Sequence, residues 1–245
     1  MMKRVKRLGM LVMMMAATMT VGAQDNVEAT VSADVVNQYI WRGTQCGEAS
    51  IQPTLGVSYK GLSLTAWGST EMAPKSGTPY CSEFDLTLGY SVGGFNVGVT
   101  DYWFSRGGDA AGRYFMYESH RTNHMFEANI GYDFGPVSVQ WYTIFAGDDY
   151  KKVADDGTID RAYSSYVEVA APFTLGGLDW NAAIGASPLK TQLYCNDGFA
   201  VTNISLKASK DIVVTPSFSI PVFAQVVANP ADQKSYFVFG FTLKP

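Results

Sequence analysis

The stretch VEATVSADVVNQYIW, Val27 to Trp41, alternates with a period of two. Its odd positions read Val27, Ala29, Val31, Ala33, Val35, Asn37, Tyr39 and Trp41. Its even positions, carried on to Arg42, read Glu28, Thr30, Ser32, Asp34, Val36, Gln38, Ile40 and Arg42. One face is mostly apolar and ends in aromatics, and the other is mainly polar. Successive side chains of a strand point to opposite faces, so this is strand patterning and not the 3.6 period of a helix.

The same pattern recurs along the chain. Residues 50–58 and 62–70 are joined by Lys60-Gly61, and 83–92 and 95–104 by Gly93-Gly94. Residues 122–134 and 136–147 meet at Gly135-Pro136, and 162–171 and 178–186 flank Gly176-Gly177. Residues 199–209 and 212–225 are expected to turn at Lys210-Asp211, and 235–243 form a last strand. With 27–41 this predicts about twelve strands. Five connections are tight, whereas 42–49, 71–82, 105–121, 148–161, 187–198 and 226–234 are longer and polar.

Short turns at one end and long loops at the other describe an all-β, single antiparallel up-and-down transmembrane β-barrel. The turns would be periplasmic and the longer loops extracellular. Aromatics at the strand ends fit two interfacial belts. Tyr39, Trp41, Trp103, Phe104 and Phe145 would form the loop-end belt. Tyr59, Tyr90, Phe95, Tyr132, Phe134, Phe173 and Trp180 would form the turn-end belt. A soluble β-sandwich is the competing architecture, but it gives no reason for loop lengths to segregate by end.

The amino terminus points to the same compartment. Lys3, Arg4, Lys6 and Arg7 precede an apolar run from Leu8 to Val21, and Val21-Gly22-Ala23 is a small-residue cleavage pattern. Residues 1–23 therefore read as a secretory signal peptide and 24–245 as one exported domain, placed in the bacterial outer membrane. No Cys lies just after the apolar run, which argues against a lipid anchor.

Cleavage removes four of the 18 Lys+Arg and none of the 22 Asp+Glu, so the formal charge falls from −4 to −8. A basic surface for nucleic acid is absent. After residue 23 no 18-residue stretch is apolar, which excludes a spanning helix. Cys46, Cys81 and Cys195 allow one disulfide with an odd thiol, or three free thiols, and both readings stay open.

In such a barrel the polar parity faces the lumen. That puts Glu28, Asp34, Asp85, Glu127, Asp133, Glu168 and Asp179 inward, with Arg42 at the loop-end mouth. A charge on the lipid side near the midplane costs about 2–4 kcal/mol for a basic residue and less for an acid, so inward is the expected side. The reading is an acid-lined passage for cations or neutral polar solutes. Its alternative is that these acids pair with loop arginines or hydrate the interior. Tyr102, Tyr142 and Trp67 would narrow the bore, with Trp67 breaking the alternation as a bulge or register change.

A hydrolase at the outer rim needs a nucleophile and a base within hydrogen-bond reach. Ser119 beside His120 is the nearest approach, with His124 following, but adjacent strand residues point to opposite faces. The His-x-Ser-Asn pattern of outer-membrane phospholipases is missing. A non-enzymatic barrel is the expectation; an outer-membrane lipid hydrolase and a non-conducting binding or structural barrel are the alternatives. The five acids in the loop from Asp148 to Asp160 lack an EF-hand register, because Lys152 and Ala154 stand where oxygen ligands are needed. No metal or cofactor is expected.

The segment Asp34 to Ser69 resembles the opening of the TorF-like outer-membrane porin family. Trp41-Arg42-Gly43 matches an aromatic-Arg-Gly element, Gln52-Pro53 a Gln-Pro strand, and a Gly-bounded hairpin follows. The ending from Tyr236 to Leu243 is similar to the terminal strand that the barrel-assembly machinery reads, although Lys244-Pro245 follows where many such proteins stop on Phe. The resemblance implies a porin without naming a solute. Its expected partners are outer-membrane lipid, small polar solutes or ions, and the assembly machinery during biogenesis.

Overall fold

The computed structural model describes residues 18–19, 27–73, 81–106, 113–152, 157 and 159–245. The expected signal peptide lies outside them, except for Thr18–Met19, which pair with Thr30 and Ala29. Among the described residues there is no helix. Twelve strands form the wall. The first six are β1 (Val27–Val36), β2 (Ser50–Tyr59), β3 (Leu62–Glu71), β4 (Cys81–Val92), β5 (Phe95–Arg106) and β6 (His124–Asp133). The others are β7 (Ser138–Gly147), β8 (Ser165–Leu175), β9 (Leu178–Ser187), β10 (Ala200–Thr215), β11 (Phe218–Asn229) and β12 (Lys234–Leu243).

Each strand pairs antiparallel with its chain neighbours, and β12 returns to β1. Gly240 pairs with Val36 and Leu243 with Ala33, closing the ring. Closure removes both sheet edges. The seam is short, but Asn37 extends it: its Nδ2 donates to the Phe237 carbonyl at 3.1 Å and its Oδ1 accepts from the Phe239 amide at 2.7 Å.

The polarity of the wall is inverted relative to a soluble protein. Val31, Leu55, Leu88, Ile130, Val226 and Phe237 are large apolar residues left exposed on the outer parity. Ser32, Thr54, Asp85, Asn96, Glu127 and Gln140 are buried on the inner one. Continuous exposed apolar surface of this kind marks a face made for something other than water. The apolar core is confined to the loop end of the bore. There Tyr102, Met125 and Ile144 pack with Trp41, Phe104 and Leu193, next to Tyr142, Tyr166 and Tyr194.

Several sequence expectations are corrected here. The first strand stops at Val36 and does not run to Trp41; Tyr39–Trp41 instead pair with Thr44–Gly47 in a separate small hairpin. Arg42 (φ 51°) and Gly43 (φ 84°) form its turn, a left-handed pair that ends any extended strand. The last tight turn lies at 216–217, beyond Lys210-Asp211, because Lys210 pairs with Val222 and Asp211 with Pro221. The β-branched run Ile212-Val213-Val214-Thr215 carries the strand past the polar pair. Trp67 is no bulge: it keeps the inward parity of Ser69 in an unbroken register with Asp85.

The turn-end aromatics Tyr59, Tyr90, Phe95, Tyr132, Phe134 and Phe173 are exposed on the outside. The ring of Trp180 stacks on that of Phe173 at 6.1 Å between centroids. The loop-end belt is thinner than expected. Tyr39, Trp41 and Phe104 turn into the bore, leaving Trp103 and Phe145 on the outer parity.

Candidate functional site

The site grows from the turn Trp41-Arg42-Gly43, which carries the first long connection into the barrel. Gly43 lets the tip approach the wall at β10 closely. A bulge in β10, where Gly185 pairs with Asn203 but Ala186 with Val201, pushes Thr202 inward. A Cβ on Gly43 would run into the Thr202 carbonyl oxygen. The Gly43 carbonyl in turn accepts from Asn229 Nδ2 at 3.1 Å. The hairpin thus reaches from β1, inside β12, to β11 and β10.

Arg42 is the centre of what it delivers. Its side chain is only 8% exposed. Nη1 and Nη2 donate to Glu127 Oε1 and Oε2 at 2.6 and 2.8 Å, a bidentate ion pair. Nη1 also donates to the Tyr194 hydroxyl at 2.6 Å. The guanidinium lies over the rings of Trp41, Tyr142 and Tyr166 at 4.4, 4.1 and 4.7 Å. In a desolvated setting such a contact contributes about 2 kcal/mol. Trp41 stacks on Tyr194 at 5.8 Å. Burial works against the guanidinium charge, yet Glu127 and then Tyr194 and Tyr102 hold its pKa well above the ordinary arginine value. Burial likewise pushes the Tyr194 hydroxyl up, against the lowering influence of Arg42.

Glu127 and Tyr166 are also held by groups other than Arg42. Tyr102 donates to Glu127 Oε2 at 2.8 Å, and Tyr166 donates to Glu168 Oε2 at 2.7 Å. Asn203 Nδ2 donates to the Tyr166 hydroxyl at 3.2 Å and to Glu168 at 3.3 Å. Tyr166 swings across Gly185, where any side chain would collide with its hydroxyl.

The sequence-predicted interior residues separate into groups. Glu127 and Arg42 meet, Glu168 stands behind them through Tyr166, and Asp85 is buried on β4. Arg42 is not at the mouth but inside, because its loop folds inward. Asp34 accepts from Thr242 Oγ1 at 2.6 Å near the closing seam. Glu28, Asp133 and Asp179 have the inner parity but sit at the turn end. There Asp133 accepts from the Gly135 amide at 2.7 Å and Asp179 from Thr174 Oγ1 at 3.2 Å, and Glu28 and Asp179 are exposed.

Glu83 and Lys207 are interior charges absent from that set. Glu83 is buried two residues before Asp85 and shares its parity, so the alternation already contained it. Lys207 follows Ile204-Ser205-Leu206 on the inner parity, with Nζ 4.1 Å from the centroid of Phe223 and near Asp34. The bore also holds polar atoms with no protein partner: Asp85 Oδ1, both side-chain ends of Asn96 and Gln140, and Trp67 Nε1. Buried polar atoms of this kind need water.

The catalytic alternative finds a different arrangement. Ser119 Oγ pairs with the Tyr150 hydroxyl at 3.2 Å, and His120 stacks on the same ring at 4.5 Å. His124 lies on the outer parity, fully buried beneath Tyr117, its ring nitrogens 2.7 Å from Asp101 Oδ1 and 2.5 Å from the Tyr114 carbonyl. Both neighbours are acceptors, so neither nitrogen is left to activate a nucleophile. In the loop from Asp148 to Asp160, residues 153–156 and 158 lie outside the described residues. Asp149 there accepts from the Ser164 amide and hydroxyl at 2.8 and 2.5 Å. Among the described residues no acidic, His or Cys group could hold a metal. Cys46 and Cys195 are exposed and not joined in a disulfide, and the Cys81 side chain lies outside the described residues.

A family model described as a bacterial protein of unknown function, Gcw_chp, matches residues 20–235. The chain belongs to this family. No curated protein matches it in sequence. In structure it is similar to an outer membrane channel from Pseudomonas putida F1, at 12% identity over 86% of this chain and 93% of that one, with a TM-score of 0.40. It is also similar to Salmonella typhi OmpF in complex with daunomycin, at 10% identity over 88% and 97% of the two chains, with a TM-score of 0.35.

Proposed function

We propose that this Gcw_chp protein is exported, sits in the bacterial outer membrane and passes small polar solutes or ions, with a lean toward cations. The observation that carries this reading is the inverted polarity: an apolar outer wall around a bore whose buried polar groups require water. A soluble barrel would bury those apolar side chains and expose these polar ones. The resemblance of Asp34 to Ser69 to TorF-like porins supports the same reading on those residues alone.

The membrane part has its own test. Leu88 is 53% exposed on the outer wall. Leu88→Arg is expected to cost about 2–4 kcal/mol in the folding of the barrel into lipid vesicles, measured by denaturant titration. A solvated surface position would tolerate the change with almost no loss, and that result would remove the lipid-facing wall.

The lean toward cations follows from the interior charges: Arg42 and Glu127 cancel each other, and Glu83, Asp85, Glu168 and Asp34 then outnumber Lys207. In a planar bilayer under a KCl gradient, the reversal potential is expected to show K⁺ preferred over Cl⁻. The double change Glu83→Gln with Asp85→Asn should move it toward zero. Anion preference in the unaltered protein would refute the assignment.

The inserted hairpin favours a closed resting state, which a non-conducting binding barrel would share. Liposome swelling with the hairpin displaced separates the two, because only a channel then admits solute.

A further inference from the structure

We propose that the pocket around Arg42 is a cation-binding site which the protein fills with its own side chain, and that it accepts a free planar guanidinium cation once the hairpin withdraws. Access to the pocket rests on the channel reading above; the pocket itself does not.

The geometry is that of a receptor for this cation. Glu127 presents two oxygens to two guanidinium nitrogens at 2.6 and 2.8 Å, a fork that an ammonium ion cannot match. The Tyr142 and Tyr166 rings cover the guanidinium at 4.1 and 4.7 Å, and the Tyr194 hydroxyl accepts a further N–H at 2.6 Å. Of these contacting groups, Trp41 alone belongs to the hairpin. The others stand on β6, β7 and β8 and on the connection between β9 and β10, and would stay behind.

Glu127 and Tyr166 would also stay in place. Tyr102 holds Glu127, and Glu168 with Asn203 holds Tyr166, through hydrogen bonds that do not involve Arg42. A pocket whose walls are oriented by hydrogen bonds behind them is pre-organised, which lowers the cost of binding a free ligand. In the intact protein the tethered Arg42 competes at an effective concentration in the millimolar range or above, so a free cation gains little. Removing the Arg42 head group leaves a carboxylate with aromatic walls and no counter-charge.

The test uses refolded full-length Arg42→Ala with guanidinium chloride as the probe, and urea and KCl as controls for shape and charge. Guanidinium is expected to block Arg42→Ala currents with a half-blocking concentration about a hundredfold below that of the unaltered protein. Urea should not block, and adding Glu127→Ala should abolish the effect. Equal block by urea, or block that survives the loss of Glu127, would overturn the proposal. Intrinsic tyrosine and tryptophan fluorescence in detergent provides a readout independent of conduction. A saturable change with guanidinium but not urea, in a protein that passes no current, would keep the pocket and refute the channel. No saturable change would refute the pocket whatever the currents show. Arg42→Met, which keeps the aliphatic stem, serves the same purpose where the alanine variant does not fold.

Discussion

Replacing Arg42 with alanine is expected to release the hairpin and open the bore. The substitution removes one partner of a buried bidentate ion pair and leaves the Glu127 carboxylate, 2% exposed, with no counter-charge. Breaking a buried pair from one side costs about 3–5 kcal/mol, far more than the net contribution of the intact pair, because the stranded charge keeps its desolvation penalty. The contacts of the guanidinium with Trp41, Tyr142 and Tyr166 are lost as well. The cost falls on the docked hairpin and not on the wall, whose backbone ladder is untouched. At 1.4 kcal/mol per factor of ten, the docked-to-undocked ratio drops by about a hundredfold to a few thousandfold. Single-channel recording should show openings that much more frequent, and amide hydrogen exchange across 37–49 should accelerate while the strands stay protected. Adding Glu127→Ala should restore part of the loss, since the second change removes the stranded charge; the two changes would then be less than additive. Unchanged conductance and exchange in Arg42→Ala would show that Arg42 does not hold the hairpin.

Gly43→Ala should produce the same opening with no change of charge. Gly43 has φ 84°, where an alanine costs about 1–2 kcal/mol. The steric cost is greater still, because the new Cβ would overlap the Thr202 backbone carbonyl, and a strand of a closed barrel has little freedom to retreat. The tip must back out of the bore, taking Arg42 away from Glu127. Open-state conductance in Gly43→Ala should match that of Arg42→Ala, which separates the plugging role of the hairpin from the charge of its arginine. An open frequency equal to that of the unaltered protein would mean that contact with β10 does not seat the hairpin.

Much of the architecture is legible in the sequence because it is local. The pleat forces a period of two, so the alternation in Val27 to Val36, in Phe84-Asp85-Leu86 and in Leu178-Asp179-Trp180 assigns inner and outer faces without knowledge of any partner strand. Glu83 and Lys207 obey the same rule. The turn at 216–217 is not legible, because Lys210-Asp211 is a polar pair inside a strand that outgrows its neighbours, and strand length is set by pairing across the sheet. Tyr39 and Trp41 mislead for a related reason: interfacial aromatics and plugging aromatics look alike in sequence.

Alternation along each strand and the turns between chain neighbours, both local, already specify an antiparallel wall of twelve strands, apolar outside and polar within; its closure joins Val36 to Gly240 from the two ends of the chain. That the first long connection turns inward, and that Arg42 meets Glu127, 85 residues away, within a ring of tyrosines, emerges only in the folded barrel. That pairing exists because closing the barrel brings β1, β6, β8 and β10 around one bore, and no pattern along a single strand encodes which residues then face each other across it.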